Sequence, residues 1–79
     1  MNKYIIVYEY YSSFYNEYTG SDVEHKGLTN YEVEAFSKKE AYDKFKKYAQ
    51  EEKREAESDS RYKHLYKCFT ILNIIDLEG

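Results

Sequence analysis

The sequence contains no proline and no tryptophan, only one cysteine and only three glycines. The lone cysteine, Cys68, cannot form an intramolecular disulfide, so a reducing compartment fits this composition best. The glycines are isolated from one another, which excludes a glycine-rich phosphate-binding loop. No linker or low-complexity stretch interrupts the 79 residues, which predicts a single domain, 1–79.

Long apolar runs are also missing. Residues 4–7 are the only apolar stretch near the start of the chain, and four residues are too few for the core of a signal peptide or for a membrane span. The sequence therefore predicts a cytoplasmic protein that does not associate with a membrane.

Acidic residues outnumber basic ones, 15 to 12, giving a formal net charge of −3. Residues 1–37 hold six acidic side chains but only two lysines, so the front half is the acidic half. This balance argues against a nucleic-acid binder driven by overall positive charge.

Tyrosine is the residue present in excess, with eleven copies. Six of them fall within the first eighteen positions: Tyr4, Tyr8, Tyr10, Tyr11, Tyr15 and Tyr18. Each tyrosine joins a large apolar ring to a hydroxyl that must find a partner or stay wet, which fits a half-buried or partner-facing β-surface. This pattern indicates binding.

Alternating side chains over residues 4–36 predict one long β-hairpin that turns at residues 19–22, a cluster of turn-forming residues. That turn places Ile6 opposite Ala35 and puts most of the acidic side chains on the face away from the apolar one. Residues 12–13 and 26–27 lie near one another in this register, and they are candidates for a bulge or for the point where regular pairing loosens.

Two shorter strands offer an alternative interpretation of the same stretch. They would cover residues 3–11 and 30–36 and would be joined by a long mobile loop. The sequence alone leaves open whether residues 12–28 pair continuously or form that loop.

A helix and a third strand follow the hairpin. Ser37 and Glu40 form a capping box where alternation gives way to helical spacing, which predicts a helix over about 38–57. The nearly continuous apolar run over about 66–75 predicts a final strand. Together these elements predict an α+β fold of ββαβ type, a three-stranded antiparallel sheet in the order 2-1-3 with one helix packed on one face.

A single helix covers only one side of such a sheet. The other side is expected to be apolar and to need a cover, either a second copy of the chain, a partner protein or a less regular packing of residues 51–65. A symmetric homodimer is the most frequent of these solutions. The candidate residues for this dimer or partner face are Ile5 and Val7 together with one set from the last strand, either Phe69, Ile71 and Ile75 or Cys68, Leu72 and Ile74.

No motif indicates catalysis or a bound metal. His64 and Cys68 are four residues apart, which in a strand means about 13 Å, too far to share one zinc ion. Paired carboxylates such as Glu51 and Glu52 fall on a part of the helix that is expected to be solvated, which does not favour acid–base work. The sequence therefore predicts a non-enzymatic protein with no metal and no cofactor.

The acidic, tyrosine-bearing tip of the hairpin is the sharpest functional signal. Aromatic side chains are enriched at the centres of protein interfaces, and acidic neighbours steer such a surface towards a basic partner, for example a nucleic-acid-binding protein. The candidate partner-binding residues are Tyr11, Phe14, Tyr15, Glu17, Tyr18, Asp22 and Glu24. The alternative is that these rings only thicken a thin sheet.

The first turns of the predicted helix are rich in lysine, which gives a second hypothesis, a nucleic-acid-binding accessory domain. Its contact residues would be Lys38, Lys39, Lys44, Lys46 and Lys47. Direct nucleic-acid binding is the weaker of the two hypotheses, because Glu9, Glu32 and Glu34 would repel a strand laid across the sheet.

Residues 31–41, YEVEAFSKKEA, resemble the junction between a strand and a capped helix that is common in small phage and mobile-element proteins. The composition, rich in tyrosine, lysine and glutamate and free of proline, is similar to that of such proteins from low-GC Gram-positive bacteria and their phages. The resemblance implies an accessory protein that binds a host protein stoichiometrically in the host cytoplasm, such as an anti-CRISPR or another anti-defence inhibitor. A structural homodimer with no other ligand is the remaining alternative.

Overall fold

The computed structural model describes residues 1–58 and 63–78, and the side chains of all of these except 63–65. Four elements follow one another along the chain: β1 (Asn2–Asn16), β2 (Ser21–Ala35), α1 (Lys38–Ser58) and β3 (Lys63–Asp76). The strands form one antiparallel sheet in the order β2-β1-β3, and α1 packs on one of its faces. This confirms the predicted α+β fold and strand order.

The hairpin is continuous. β1 and β2 are each 15 residues long and pair without interruption from Asn2 opposite Ala35 to Asn16 opposite Ser21. The alternative of two short strands joined by a mobile loop over 12–28 is therefore wrong. The bulge expected near residues 12–13 and 26–27 is also wrong, because the register between β1 and β2 does not shift there.

The turn lies at residues 17–20, two positions before the predicted 19–22. Asn16 sets this position, because its side-chain oxygen accepts a hydrogen bond from Tyr18 N (2.9 Å) and its carbonyl accepts one from Gly20 N (2.8 Å). Gly20 has a φ of 68°, a left-handed conformation that glycine adopts without steric cost.

The earlier turn moves the pairing by four positions, so that Ile6 lies opposite Tyr31 and not opposite Ala35. Side chains alternate between the two faces of a strand, so an even shift leaves every side chain on its predicted face. Tyr4, Ile6 and Tyr8 accordingly point towards α1 and are buried, as the alternation predicts.

The capping signal at Ser37 starts the helix at the predicted residue. Ser37 Oγ accepts a hydrogen bond from Glu40 N (3.1 Å), and the Ser37 carbonyl accepts one from Ala41 N (3.0 Å). Glu40 forms an ion pair with Lys44 one turn later (3.3 Å). No helix in residues 1–58 and 63–78 has the long apolar stretch that crossing a membrane requires.

The core lies between α1 and the facing side of the sheet, and Phe45 is its centre. The Phe45 ring lies 4.7 Å from that of Tyr8, 5.8 Å from that of Tyr31 and 6.4 Å from that of Phe69, measured between centroids. Tilted and edge-on aromatic contacts of this kind add to the energy of burial. The buried core consists of Tyr4, Ile6, Tyr8, Ala35, Ala41 and Phe45.

A bulge interrupts the pairing of β3 with β1. Val7 lies opposite Asn73 and Tyr8 lies opposite Ile71, so Leu72 is an extra residue in β3. An extra residue reverses the face on which the following side chains lie.

The bulge corrects the predicted outer face. Three residues of β3 pack against the core under α1: Phe69, Ile71 and Ile74. Each of the two predicted sets divides these three residues between the two faces of the sheet. The placement of Phe69 and Ile71 on the dimer or partner face is therefore wrong. Ile5 and Val7 alternate with the buried residues of β1 and do lie on the outer face.

Candidate functional site

The face of the sheet that points away from α1 carries the residues that sequence reasoning assigned to binding. No helix or strand among residues 1–58 and 63–78 covers this outer face. The half of the outer face near the turn carries aromatic and acidic side chains. The opposite half, near the start of β1, carries apolar side chains on β1 and charged side chains on β2.

Tyr11 is held in place on this face from two sides. Its hydroxyl donates a 2.9 Å hydrogen bond to Glu24 Oε1, and its ring meets the ring of Tyr66 edge-on at 6.1 Å between centroids. The hydrogen bond to the Glu24 carboxylate is the main cause that raises the pKa of Tyr11. An aromatic ring fixed in this way loses little conformational freedom when a partner binds.

Tyr15 and Asp22 lie opposite each other on the same face, closer to the turn than Tyr11 and Glu24. Tyr15 is 39% exposed, and its hydroxyl lies 3.9 Å from the position that a Cβ on Gly20 would occupy, so the ring leans towards the turn. The side chains brought together here are named the tip surface: Tyr11, Tyr15, Asp22, Glu24 and Tyr66.

Two further predicted contact residues stand in the turn itself. Glu17 is exposed, and Tyr18 is fully exposed at 101%. A tyrosine ring that is wholly in water within a folded chain is available for contact with another molecule. Glu17 and Tyr18 therefore extend the tip surface at its end.

Phe14 does not belong to this group. It lies on the face of the sheet that points towards α1, is half-buried, and stacks on the ring of His25 at 6.2 Å with an interplanar angle of 18°. Alternation separates it from Tyr11 and Tyr15 because even and odd positions of β1 point to opposite faces. Six of the seven predicted partner-binding residues are thus brought together, and Phe14 is not.

Tyr66 is the member of the tip surface that sequence reasoning missed. It is 55% exposed and lies opposite Ser13, beside Tyr11. A hydrogen bond with the thiol of Cys68 is the main cause that raises the pKa of Tyr66. The sequence carried no signal that places Tyr66 beside Tyr11, because that depends on the register between β1 and β3.

The apolar part of the outer face is a strip and not a broad patch. Ile5 and Val7 are half-buried, and Ile75 lies opposite Ile5 at 40% exposure. On the β2 side the strip is bordered by Glu32 and Glu34, and Glu32 pairs with Lys3 at 3.4 Å.

The five lysines of the nucleic-acid hypothesis do not form one surface. Lys44 donates to the Glu34 carbonyl (2.7 Å) on the β2 side, whereas Lys46 lies over the ring of Tyr42 beside β3. Successive helix positions rotate by about 100°, so this set spreads around α1. The remaining members are exposed: Lys38, Lys39 and Lys47.

In the described part of the chain, no group of three or more histidine, cysteine, aspartate or glutamate side chains is close enough to hold a metal ion. The side chain of His64, one of the residues weighed as a ligand, lies outside the described residues. Comparison with protein-family models, with the curated proteins and with the solved structures found no significant match.

Proposed function

We propose that this chain is a non-enzymatic protein-binding module that uses the tip surface, together with Glu17 and Tyr18, to occupy a basic surface on a partner protein. The observation that carries the proposal is the fixed geometry of Tyr11 between Glu24 and Tyr66 on an uncovered face. Rigid aromatic anchors surrounded by charge are the arrangement that protein interfaces use for affinity and for choice of partner.

Charge supports a basic partner. Asp22 and Glu24 are exposed on the tip surface and Glu17 is exposed in the turn, while the basic neighbour within this part of β2 is Lys26, opposite Tyr11. Acidic side chains around an aromatic centre accelerate encounter with a positively charged surface and oppose encounter with an acidic one.

The resemblance to small phage and mobile-element proteins supplies the class of partner. A chain of this kind acts stoichiometrically, by covering a site on a host protein that the host protein needs for its own function. Because basic clefts are the sites at which proteins bind nucleic acids, a host nucleic-acid-processing or defence protein is the partner that this charge pattern fits best. The module would act in the cytoplasm of the host cell.

Affinity capture tests this proposal. The tagged chain is incubated with a nuclease-treated lysate of low-GC Gram-positive bacteria, in parallel with a Tyr15→Ala, Tyr18→Ala double variant. Phe36→Ala is the matched control, because Phe36 is 73% exposed at the other end of the hairpin. We expect the wild type and the control to retain the same protein and the double variant to lose it. Retention by a correctly folded double variant would contradict the proposal.

The apolar strip favours a second role, homodimerisation. Ile5, Val7 and Ile75 form a continuous apolar line on a face that no element of the described chain covers. Two copies would bury these lines against each other, and an Ile5→Lys change would place charge in the interface. Light scattering that gives a monomer mass for the wild type at high concentration would contradict dimerisation.

A further inference from the structure

β3 has one long edge that faces no other strand of the described chain. It is the outermost strand of the order β2-β1-β3, and in residues 1–58 and 63–78 only β1 pairs with it. The backbone N–H and C=O groups along such an edge form a ready template for another extended chain.

A groove runs beside this edge, between β3 and α1, with a volume of about 520 Å³. Its floor is apolar and is formed by Phe45, Ala49, Phe69 and Ile71. The wall formed by α1 includes Lys46 and Lys53, which are seven positions apart and therefore lie two turns apart on the same flank of the helix.

The groove is basic although the chain as a whole is acidic. Two lysines and no acidic residue appear among the described side chains that line it, against a net charge of −3 for the whole sequence. Lys46 is held over the ring of Tyr42 at 5.4 Å, which keeps its ammonium group at the rim of the groove.

We propose that the free edge of β3 and the adjoining groove bind an extended acidic segment of a partner protein, which joins the sheet as a fourth strand. Every second side chain of that segment would point to the helix side. There, small apolar side chains would contact Phe69 and Ile71, and carboxylates would reach Lys46 and Lys53. This site is separate from the tip surface and opposite to it in charge.

The charges favour a foreign acidic segment over a second copy of this chain. Pairing of β3 with β3 of another copy would bring Lys46 and Lys53 towards the same two lysines of that copy. Pairing of β3 with β2 of another copy would not bring acidic side chains to the groove. In that β2 strand Tyr31 and Val33 pack under the copy's own helix, so Glu32 and Glu34 lie on the outer face, away from Lys46 and Lys53.

A peptide array tests the proposal with the intact protein. Random-sequence peptides are immobilised, and the fluorescently labelled chain is bound at low and high salt. We expect enrichment of peptides that carry both aspartate or glutamate and small apolar residues at every second position, so that both kinds of side chain lie on the same face of the added strand. If no such pattern is enriched, or if basic peptides are enriched, the proposal is overturned.

Two matched comparisons separate strand addition from simple charge attraction. The best peptide is remade in two versions, each with one of the two alternate sets of backbone amides N-methylated. Both versions keep the charge, but only one removes the donors that face β3, and we expect that version to lose binding and the other to keep it. On the protein, Lys46→Glu with Lys53→Glu should weaken binding by about tenfold or more, since two charge-assisted contacts are reversed. The control, Lys38→Glu with Lys47→Glu, changes net charge equally outside the groove.

Each comparison has an outcome that overturns the proposal. Equal binding of both N-methylated peptides and the parent peptide would show that the edge of β3 is not used. An equal effect of the two double variants would show that the groove is not the site. A dimer, measured by light scattering, that forms through β3 and excludes the peptide would assign the edge to a second copy. These outcomes do not depend on the tip surface, so they would hold even if the tip surface bound no partner.

Discussion

Gly27 lies opposite Tyr10 in the hairpin, and a Cβ added to Gly27 would stand 2.8 Å from the Tyr10 hydroxyl oxygen and 3.1 Å from two ring carbons. The absence of a side chain at this position is what lets the Tyr10 ring lie across β2. A glycine in the middle of a 15-residue strand, normally unfavourable, is thereby explained by the packing of one aromatic ring.

This contact predicts whether a substitution at Gly27 stabilises or destabilises the fold. Gly27→Ala should lower the free energy of unfolding by about 1 kcal/mol, because displacing the Tyr10 ring outweighs the gain from removing a flexible glycine. In a Tyr10→Ala background the same change should be neutral or stabilising. Urea unfolding of the four proteins in this double-mutant cycle measures the coupling, and a cycle with no coupling would refute this explanation of Gly27.

Phe45 is predicted to carry more of the stability than any exposed phenylalanine. It is 2% exposed and contacts the rings of Tyr8, Tyr31 and Phe69. Phe45→Leu should lower the free energy of unfolding by about 1–2 kcal/mol, a fraction of the roughly 3–5 kcal/mol for removal of a whole buried ring. Phe36→Leu, at an exposed position, should change it by less than about 0.5 kcal/mol. Similar losses in both variants would contradict the placement of the core.

Tyr8 gives the fold a dependence on alkaline pH. Burial, followed by the neighbouring Tyr48, raises the pKa of Tyr8 from 10.0 to about 12. The folded state therefore holds the phenol proton more tightly than the unfolded state. This contribution to stability is fully present below about pH 10 and is lost as the pH rises to about 12, an effect on the order of 2 kcal/mol.

A Tyr8→Phe variant isolates this effect from the other tyrosines. The wild type should lose stability more steeply than the variant between about pH 10 and 12, so the difference between them should change across that range. Tyr18→Phe, which removes a hydroxyl from a fully exposed ring, is the matched control. Urea unfolding at a series of pH values makes the measurement, and a difference between wild type and Tyr8→Phe that stays constant with pH would contradict the assignment.

The parts of the fold that follow from local pattern could be predicted from the sequence. Alternation in residues 4–36 predicted the hairpin, and the capping residue Ser37 predicted the helix start, and the structure has both. Both signals depend only on residues close together in the chain. The predicted register was wrong by four positions, an even number. Because side chains alternate with a period of two, this error did not change the face assigned to any side chain of the hairpin.

The errors in the predicted turn position and outer face arose where the outcome depends on a single side-chain hydrogen bond or on contacts between residues far apart in sequence. Asn16 positions the turn through a hydrogen bond to its side chain. The sequence prediction placed the turn later, because the turn-forming residues that follow Asn16 are more densely clustered. The extra residue Leu72 depends on how β3 meets β1, strands that lie at opposite ends of the chain. That one residue decided which of the apolar side chains of β3 face the core and which face outward.

The candidate site was predicted in composition but not in arrangement. Alternation alone would have placed Phe14 on the face opposite Tyr11 and Tyr15, and the prediction grouped them because they are close in sequence. Tyr66 could be paired with Tyr11 only once the β1–β3 register was known.

Site-specific photocrosslinking tests the central claim, that the tip of the hairpin contacts a partner protein. Tyr18 is replaced by p-benzoylphenylalanine in one variant and Phe36 in another, both being exposed aromatic positions at opposite ends of the hairpin. After irradiation in nuclease-treated lysate, we predict a discrete adduct with one host protein from the Tyr18 position and none from the Phe36 position. An adduct from Phe36 alone, or no adduct from Tyr18 while the chain still captures its partner, would contradict the account.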